Sequence, residues 1–284
     1  MQALQELALE LVNEDRADHD LPALEAGPAL ASAAIAHAED MLARDYYSHQ
    51  SPEGTSVDDR YVEAGGSRWE LVAENIAQCT GCTPGPELVE ELQQGWMDSP
   101  GHRENILADG LERFGFGLAA EDGAVYAVQT FAGPGTPRGV DSNEETRVIA
   151  ADEQEALLLE AVNAARREAD LPPLDASDSL SAAARSLVPD PSGAFEMGTM
   201  GGLGEAIPDD ERTRWGQLAA VSGACGGCGE DTTEADVTYF AGDWLEAGSY
   251  RSRFLSADFT HLGFALAANG EGKKIALAVL GQAR

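Results

Sequence analysis

The sequence predicts an α+β protein made of two tandem copies of one domain, each with helices first and antiparallel strands last. Three observations carry this reading. There is an internal repeat, each copy opens on apolar stripes of helical period, and each ends on strand-like segments. No alternating βαβ rhythm separates them.

The repeat is read directly. Leu11-Val-Asn-Glu-Asp-Arg-Ala-Asp-His-Asp-Leu-Pro-Ala-Leu24 matches Ala161-Val-Asn-Ala-Ala-Arg-Arg-Glu-Ala-Asp-Leu-Pro-Pro-Leu174, an offset of 150 from Asn13 to Asn163. Trp69 and Cys79 recur at Trp215 and Cys225, offset 146, and Trp96 and Gly115 at Trp244 and Gly263, offset 148. Such small drifts are loop-length changes. Between the copies lies Gly133-Pro-Gly-Thr-Pro-Arg-Gly139, then the polar run Val140 to Thr146, the composition of a linker. The expected boundaries are a first domain at 1–134, a linker at 135–151 and a second domain at 152–284.

In the first copy Leu4, Leu7, Ala8, Leu11 and Val12 fall on one helical face. A second helix is expected from Gly27-Pro28, where proline suits the first turn, with a stripe of Leu30, Ala33, Ala34, His37 and Met41. Phe114 to Leu118 and Ala124 to Phe131 read as strands.

Across 284 residues, 50 are Asp or Glu and 18 Lys or Arg, a net charge of −32, and Lys273 and Lys274 are the only lysines. Hydrophobic residues at 43% are enough for packed cores, so this is no acidic disordered tail. Carboxylates spread over both halves fit a halophile's solvated surface better than one acidic docking patch. Nothing could neutralise a run of phosphates, which argues against nucleic acid. No stretch approaches the ~18 apolar residues of a spanning helix, and Met1 to Glu10 lacks the pattern of a signal peptide. The chain as given therefore reads as cytoplasmic if it is complete.

Four of the five histidines lie in the first copy. His49 sits in the turn-rich Tyr46-Tyr-Ser-His-Gln-Ser-Pro-Glu-Gly54. His102 sits in Ser99-Pro-Gly-His-Arg-Glu-Asn-Ile-Leu107, before a short helical turn, and Glu74 in the apolar strand Ala73-Glu-Asn-Ile-Ala77. Two imidazoles and a carboxylate from three segments make a metal or acid–base cluster. His37, on the inward stripe, reads first as a core histidine bonded through one nitrogen and second as a cleft-floor residue orienting His49 or His102. His19 reads as solvated, and His261 falls opposite Arg113.

These ordered motifs, together with Asn13-Glu-Asp-Arg16, His37-Ala-Glu-Asp-Met41 and Gly115-Phe-Gly117, resemble a prokaryotic CAP (cysteine-rich secretory, antigen 5, pathogenesis-related; SCP-like) domain over residues 4–133. The resemblance implies an α–β–α sandwich with a cleft lined by two histidines and acidic residues. His49, Glu74 and His102 match three of four cleft positions. The fourth, a glutamate in many eukaryotic members, is Ser99 here, with Asp98 adjacent. The family is commonly secreted.

The second copy is an internal control. His37 becomes Leu187, Glu74 becomes Ala220 and His102 becomes Tyr250, and no histidine occurs between Arg167 and His261. Trp215, Trp244, Arg251, Leu255, Gly263 and Phe264 keep the scaffold. Correlated loss points to one shared task in the first copy.

The only cysteines form Cys79-Thr-Gly-Cys82 and Cys225-Gly-Gly-Cys228, in the loop expected after the Glu74 strand. Three readings stay open, in this order: one structural Cys₄ zinc site joining the two domains, two local disulfides, or redox dithiols. The favoured function is a cleft in the first domain binding a divalent metal or small ligand through His49, Glu74 and His102. The alternatives are a metal-assisted hydrolase of peptide or cell-wall substrates and a non-catalytic scaffold.

Overall fold

The computed structural model describes residues 1–140, 146–188 and 202–284. The chain divides into two compact units, Met1–Gly135 and Thr136–Arg284. Residues 141–145 of the expected linker lie outside the described residues.

The first unit runs α1 (Gln2–Ala17), β1 (Glu25–Ala26), α2 (Pro28–Arg44), α3 (Val57–Glu63), β2 (Leu71–Thr80), α4 (Pro86–Asp98), α5 (Pro100–Ile106), β3 (Arg113–Glu121) and β4 (Ala124–Gly133). Its sheet has the order β1-β3-β4-β2. The three long strands pair antiparallel, and only the two-residue β1 joins β3 in parallel.

Period two along the strands sorts side chains between two helical layers. Ile76, Tyr126 and Val128 pack with Ala34, Ala38 and Met41 of α2. Val125 and Ala127 face the other way, with Ala8 and Val12 of α1 and Leu88, Val89 and Trp96 of α4. The result is an α–β–α sandwich.

The second unit repeats this with α6 (Ala151–Glu168), β5 (Asp175–Ala176), α7 (Asp178–Leu187), α8 (Leu203–Ala206), β6 (Trp215–Cys225), α9 (Glu234–Glu246), α10 (Gly248–Phe254), β7 (His261–Ala268) and β8 (Lys274–Ala283). Its sheet order, β5-β7-β8-β6, is the same topology.

The repeated motif has a physical basis. Arg16 is buried and gives its guanidinium protons to the carbonyls of Pro22, Ile106 and Ala108; Arg166 does the same with Pro172, Phe254 and Ser256. Asn13 and Asn163 each clamp a leucine backbone, Leu24 and Leu174, through both amide atoms. Each pair ties the first helix to the following loop and satisfies buried carbonyls that no secondary structure serves. The recurring Gly115 and Gly263 have another cause. A Cβ on either would come within 2.2 Å of the backbone of the helix crossing it, at Ala31 and Ser181 respectively. Only glycine lets helix and strand approach so closely.

Candidate functional site

β2 is the open edge of the first sheet, so carbonyls on its outer side need partners from elsewhere. Asn105 of α5 donates to the Glu74 carbonyl at 3.0 Å. Trp96 Nε1 and the Tyr47 hydroxyl both donate to the Ile76 carbonyl, at 3.1 and 2.9 Å. These bonds seat α4, α5 and the loop before α3 against the strand that carries Glu74.

Glu74 lies on the α2 side of β2, with its side chain only 2% exposed. A carboxylate so buried needs compensation. Arg60 Nη2 binds Oε2 at 2.6 Å, and His49 Nδ1 lies 2.9 Å from Oε1. Arg60 also donates to the carbonyls of Thr55 and His49. A capping box between Ser56 and Asp59 starts α3 and so aims Arg60 inward.

His37 matches the first role weighed for it, a core histidine hydrogen-bonded through one nitrogen. It is buried, Nε2 donates to the Ser48 carbonyl at 2.9 Å, and the same nitrogen is 3.9 Å from Glu74 Oε1. It thus holds the backbone beside His49 while flooring the Glu74 site. Burial lowers its pKa, against the opposing pull of Glu74.

His49 is 56% exposed at its side chain. Glu74 holds Nδ1, so Nε2 is the ring nitrogen left open to a ligand. His102 is half-buried on α5. Its backbone carbonyl accepts from Asn75 at 3.1 Å. Burial, and then the nearby His49, lower the His102 pKa. The structure therefore joins His49 and Glu74 directly.

Glu74 is less available than the sequence implied, because both oxygens are engaged and enclosed. Among the described residues no group of three or more His, Cys, Asp or Glu is arranged to hold a metal ion. Two imidazoles are the donors on offer. Ser99 serves as the cap between α4 and α5 and makes no side-chain cap bond. His19 is exposed, bonded to the Asp15 carbonyl and to Arg103.

Sequence reading missed Arg60. A signal existed, because offsets of 150 and 146 on either side place its counterpart within Ala206–Asp210, a stretch without arginine. Arg60 disappears with the cluster it serves.

Cys79–Cys82 and Cys225–Cys228 each close as a local disulfide, with Cα atoms 5.9 and 6.2 Å apart. Cys79 is the penultimate residue of β2 and Cys225 the last of β6, so neither lies in the following loop.

The family profile described as "CAP: Cysteine-rich secretory protein family" matches residues 9–131 and 159–280. The chain belongs to the CAP family. Both CAP domains are covered, so the duplication is a duplication of the whole family unit. The first CAP domain's region is similar to the uncharacterized protein YkwD of Bacillus subtilis (strain 168), with 32% identity over 127 residues, 45% of this chain and 46% of that one. The uncharacterized membrane protein YlbC of the same organism is 36% identical over 110 residues, 39% of this chain and 30% of its own length. The chain thus spans less than half the length of these curated relatives. Among solved structures, an extracellular SCP-domain protein from Bacillus anthracis is 32% identical, covering 46% of this chain and 40% of that one, TM-score 0.38. A cysteine-rich secretory protein from Staphylococcus aureus is 16% identical, covering 63% and 60%, TM-score 0.38. Among the described residues of this CAP protein, no helix is long and apolar enough to cross a membrane.

Proposed function

We propose that the first CAP domain is a binding module whose cleft takes a divalent metal ion or a small ligand at the imidazoles of His49 and His102. The observation that carries this is the His49 Nδ1 to Glu74 Oε1 contact at 2.9 Å, on a histidine otherwise open to solvent. It supports a fixed tautomer with Nε2 outward, the carboxylate–histidine arrangement found behind metal ligands. The donor set fits a borderline cation such as zinc, with water completing the coordination. Such an ion supplies Lewis acidity when bound. The chain's own residues present the nitrogens, hold His49 through Glu74, and keep Glu74 in place through Arg60.

The hydrolase alternative asks Glu74 to take a proton from water. Its burial and its contacts with Arg60 and His49 speak against a free base there. A binding role is the better-supported reading.

Zinc titration of the full chain against a chromophoric chelator tests it. One site is expected in the first domain. His49→Ala and His102→Ala should each weaken it at least about tenfold while leaving the thermal midpoint nearly unchanged. Zinc uptake that survives the double substitution would refute the site.

A further inference from the structure

β2 turns different chemistry to its two faces. Glu74 faces α2, whereas Asn75 faces the layer of α1 and α4, where an apolar core would serve the fold. A line of polar side chains runs through that layer beside its apolar core. Gln93 Nε2 donates to the Asp15 carboxylate at 2.6 Å. Gln129 Nε2 donates to Gln93 Oε1 at 2.6 Å, and Asn75 Nδ2 to Gln129 Oε1 at 3.1 Å. The same Asn75 amide nitrogen donates to the His102 carbonyl, also at 3.1 Å. Asn105 closes the end by donating to Asn75 Oδ1 at 2.9 Å. Asn75 and Gln129 are fully buried and Gln93 nearly so.

The second domain shows that the fold stands without this line. Asn75 pairs with Gln129 across β2 and β4, and the matching pair across β6 and β8 is Val221 and Ala278. Gln93 becomes Ala241 by the offset of 148, and Asp15 becomes Ala165 by the offset of 150. All four replacements are buried and apolar. Burying three primary amides costs desolvation that their hydrogen bonds offset only in part. Well-packed apolar side chains stabilise such a layer at least as well. The polar line was lost together with His102, Glu74 and Arg60, so it belongs to what they do rather than to the fold.

The line also has a direction. An ionised carboxylate only accepts, so Asp15 draws the NH₂ of Gln93 toward itself and turns the Gln93 carbonyl to Gln129. The same constraint passes to Gln129 and then to Asn75, each bond polarising the next. Asn75 is left to present N–H, never its carbonyl, to the backbone of His102.

We propose that Asp15, Gln93, Gln129 and Asn75 form a positioning line that fastens α5 to β2 at His102 and so sets its imidazole beside that of His49. None of the four touches a ligand; they act through His102. The proposal rests on the reading of His49 and His102 as the binding pair.

The test is the full chain carrying Asn75→Val, Gln93→Ala and Gln129→Ala, the side chains of the second domain. Zinc affinity and the ring resonances of His102 are measured by competition and NMR, with the His37 resonances and the thermal midpoint as controls. The midpoint should hold or rise, and the His37 ring should be unmoved. The His102 ring resonances should shift and broaden, and zinc affinity should fall about 10- to 100-fold. Unchanged His102 resonances would overturn the line, and so would changes that track a falling midpoint, which mark a packing role. Should the triple variant fail to fold, Gln93→Ala alone cuts the line two amides away from His102. Its His102 resonances must then move, and their constancy in the folded variant is equally fatal. A wild-type chain that binds no zinc defeats the metal reading, and the His102 resonances still decide the positioning line.

Discussion

At the scale of residues, the arrangement around Glu74 follows from one buried negative charge. Placed inward on an edge strand, that carboxylate is tolerable only with cations or donors around it, and Arg60 and His49 are those groups. Arg60→Leu should therefore destabilise the first domain by about 3 kcal/mol, because it leaves a buried charge without its main partner. Urea unfolding measures this, and Arg60→Leu combined with Glu74→Gln should recover most of the loss. If the double variant is no more stable than the single, the cost lies in packing and not in charge. The sequence singles out His49, Glu74 and His102 by their segments and by the family resemblance, and their joint absence from the second copy adds to that. Arg60 was legible only in principle, since its counterpart falls where the offset between copies is changing.

At the scale of elements, each pair of cysteines closes the end of an edge strand. A disulfide spanning two intervening residues constrains a short loop, so loop entropy limits its contribution to about 2 kcal/mol. Cys79→Ala with Cys82→Ala should lower the thermal midpoint modestly and leave zinc binding at His49 and His102 intact. The chain, stripped of metal by a chelator, should have a mass four hydrogens below the fully reduced one and should expose no free thiols on denaturation. Four titratable thiols and one released zinc would restore the four-cysteine reading. Spacing alone left this open, because Cys-x-Gly-Cys serves a zinc knuckle and a local disulfide equally well. The helices and strands were far more legible. The α2 stripe of Leu30, Ala33, Ala34, His37 and Met41 is buried throughout, since one apolar face of helical period has one place to go.

At the scale of the whole molecule, 50 acidic residues against 18 basic ones leave repulsion as the dominant long-range term. One of the two lysines spends its charge inside the second unit, where Lys274 Nζ meets Asp236 Oδ2 at 2.6 Å with both side chains buried. Lys274 therefore does little to relieve the acidic surface. The thermal midpoint should rise from ~50 mM to molar KCl, where the Debye length shrinks to roughly 3 Å. Calorimetry across a salt series reads this directly. A flat or falling series would assign the acidic surface to a cation-rich partner instead of a saline solvent.

Duplication, the order of helices and strands, the inward faces and the histidine-bearing segments were determined by the sequence itself. Each is written in local period or in comparison of one copy with the other. Tertiary structure alone decided that Arg60 neutralises Glu74 and that Glu74 stands behind His49. It also decided that Asp15 reaches His102 through Gln93, Gln129 and Asn75. Those four residues come from α1, α4, β4 and β2, as much as 114 positions apart between Asp15 and Gln129. Hydrogen bonds depend on position to within a few tenths of an ångström, and only the packing of α1 and α4 on one face of the sheet brings such distant groups to that range.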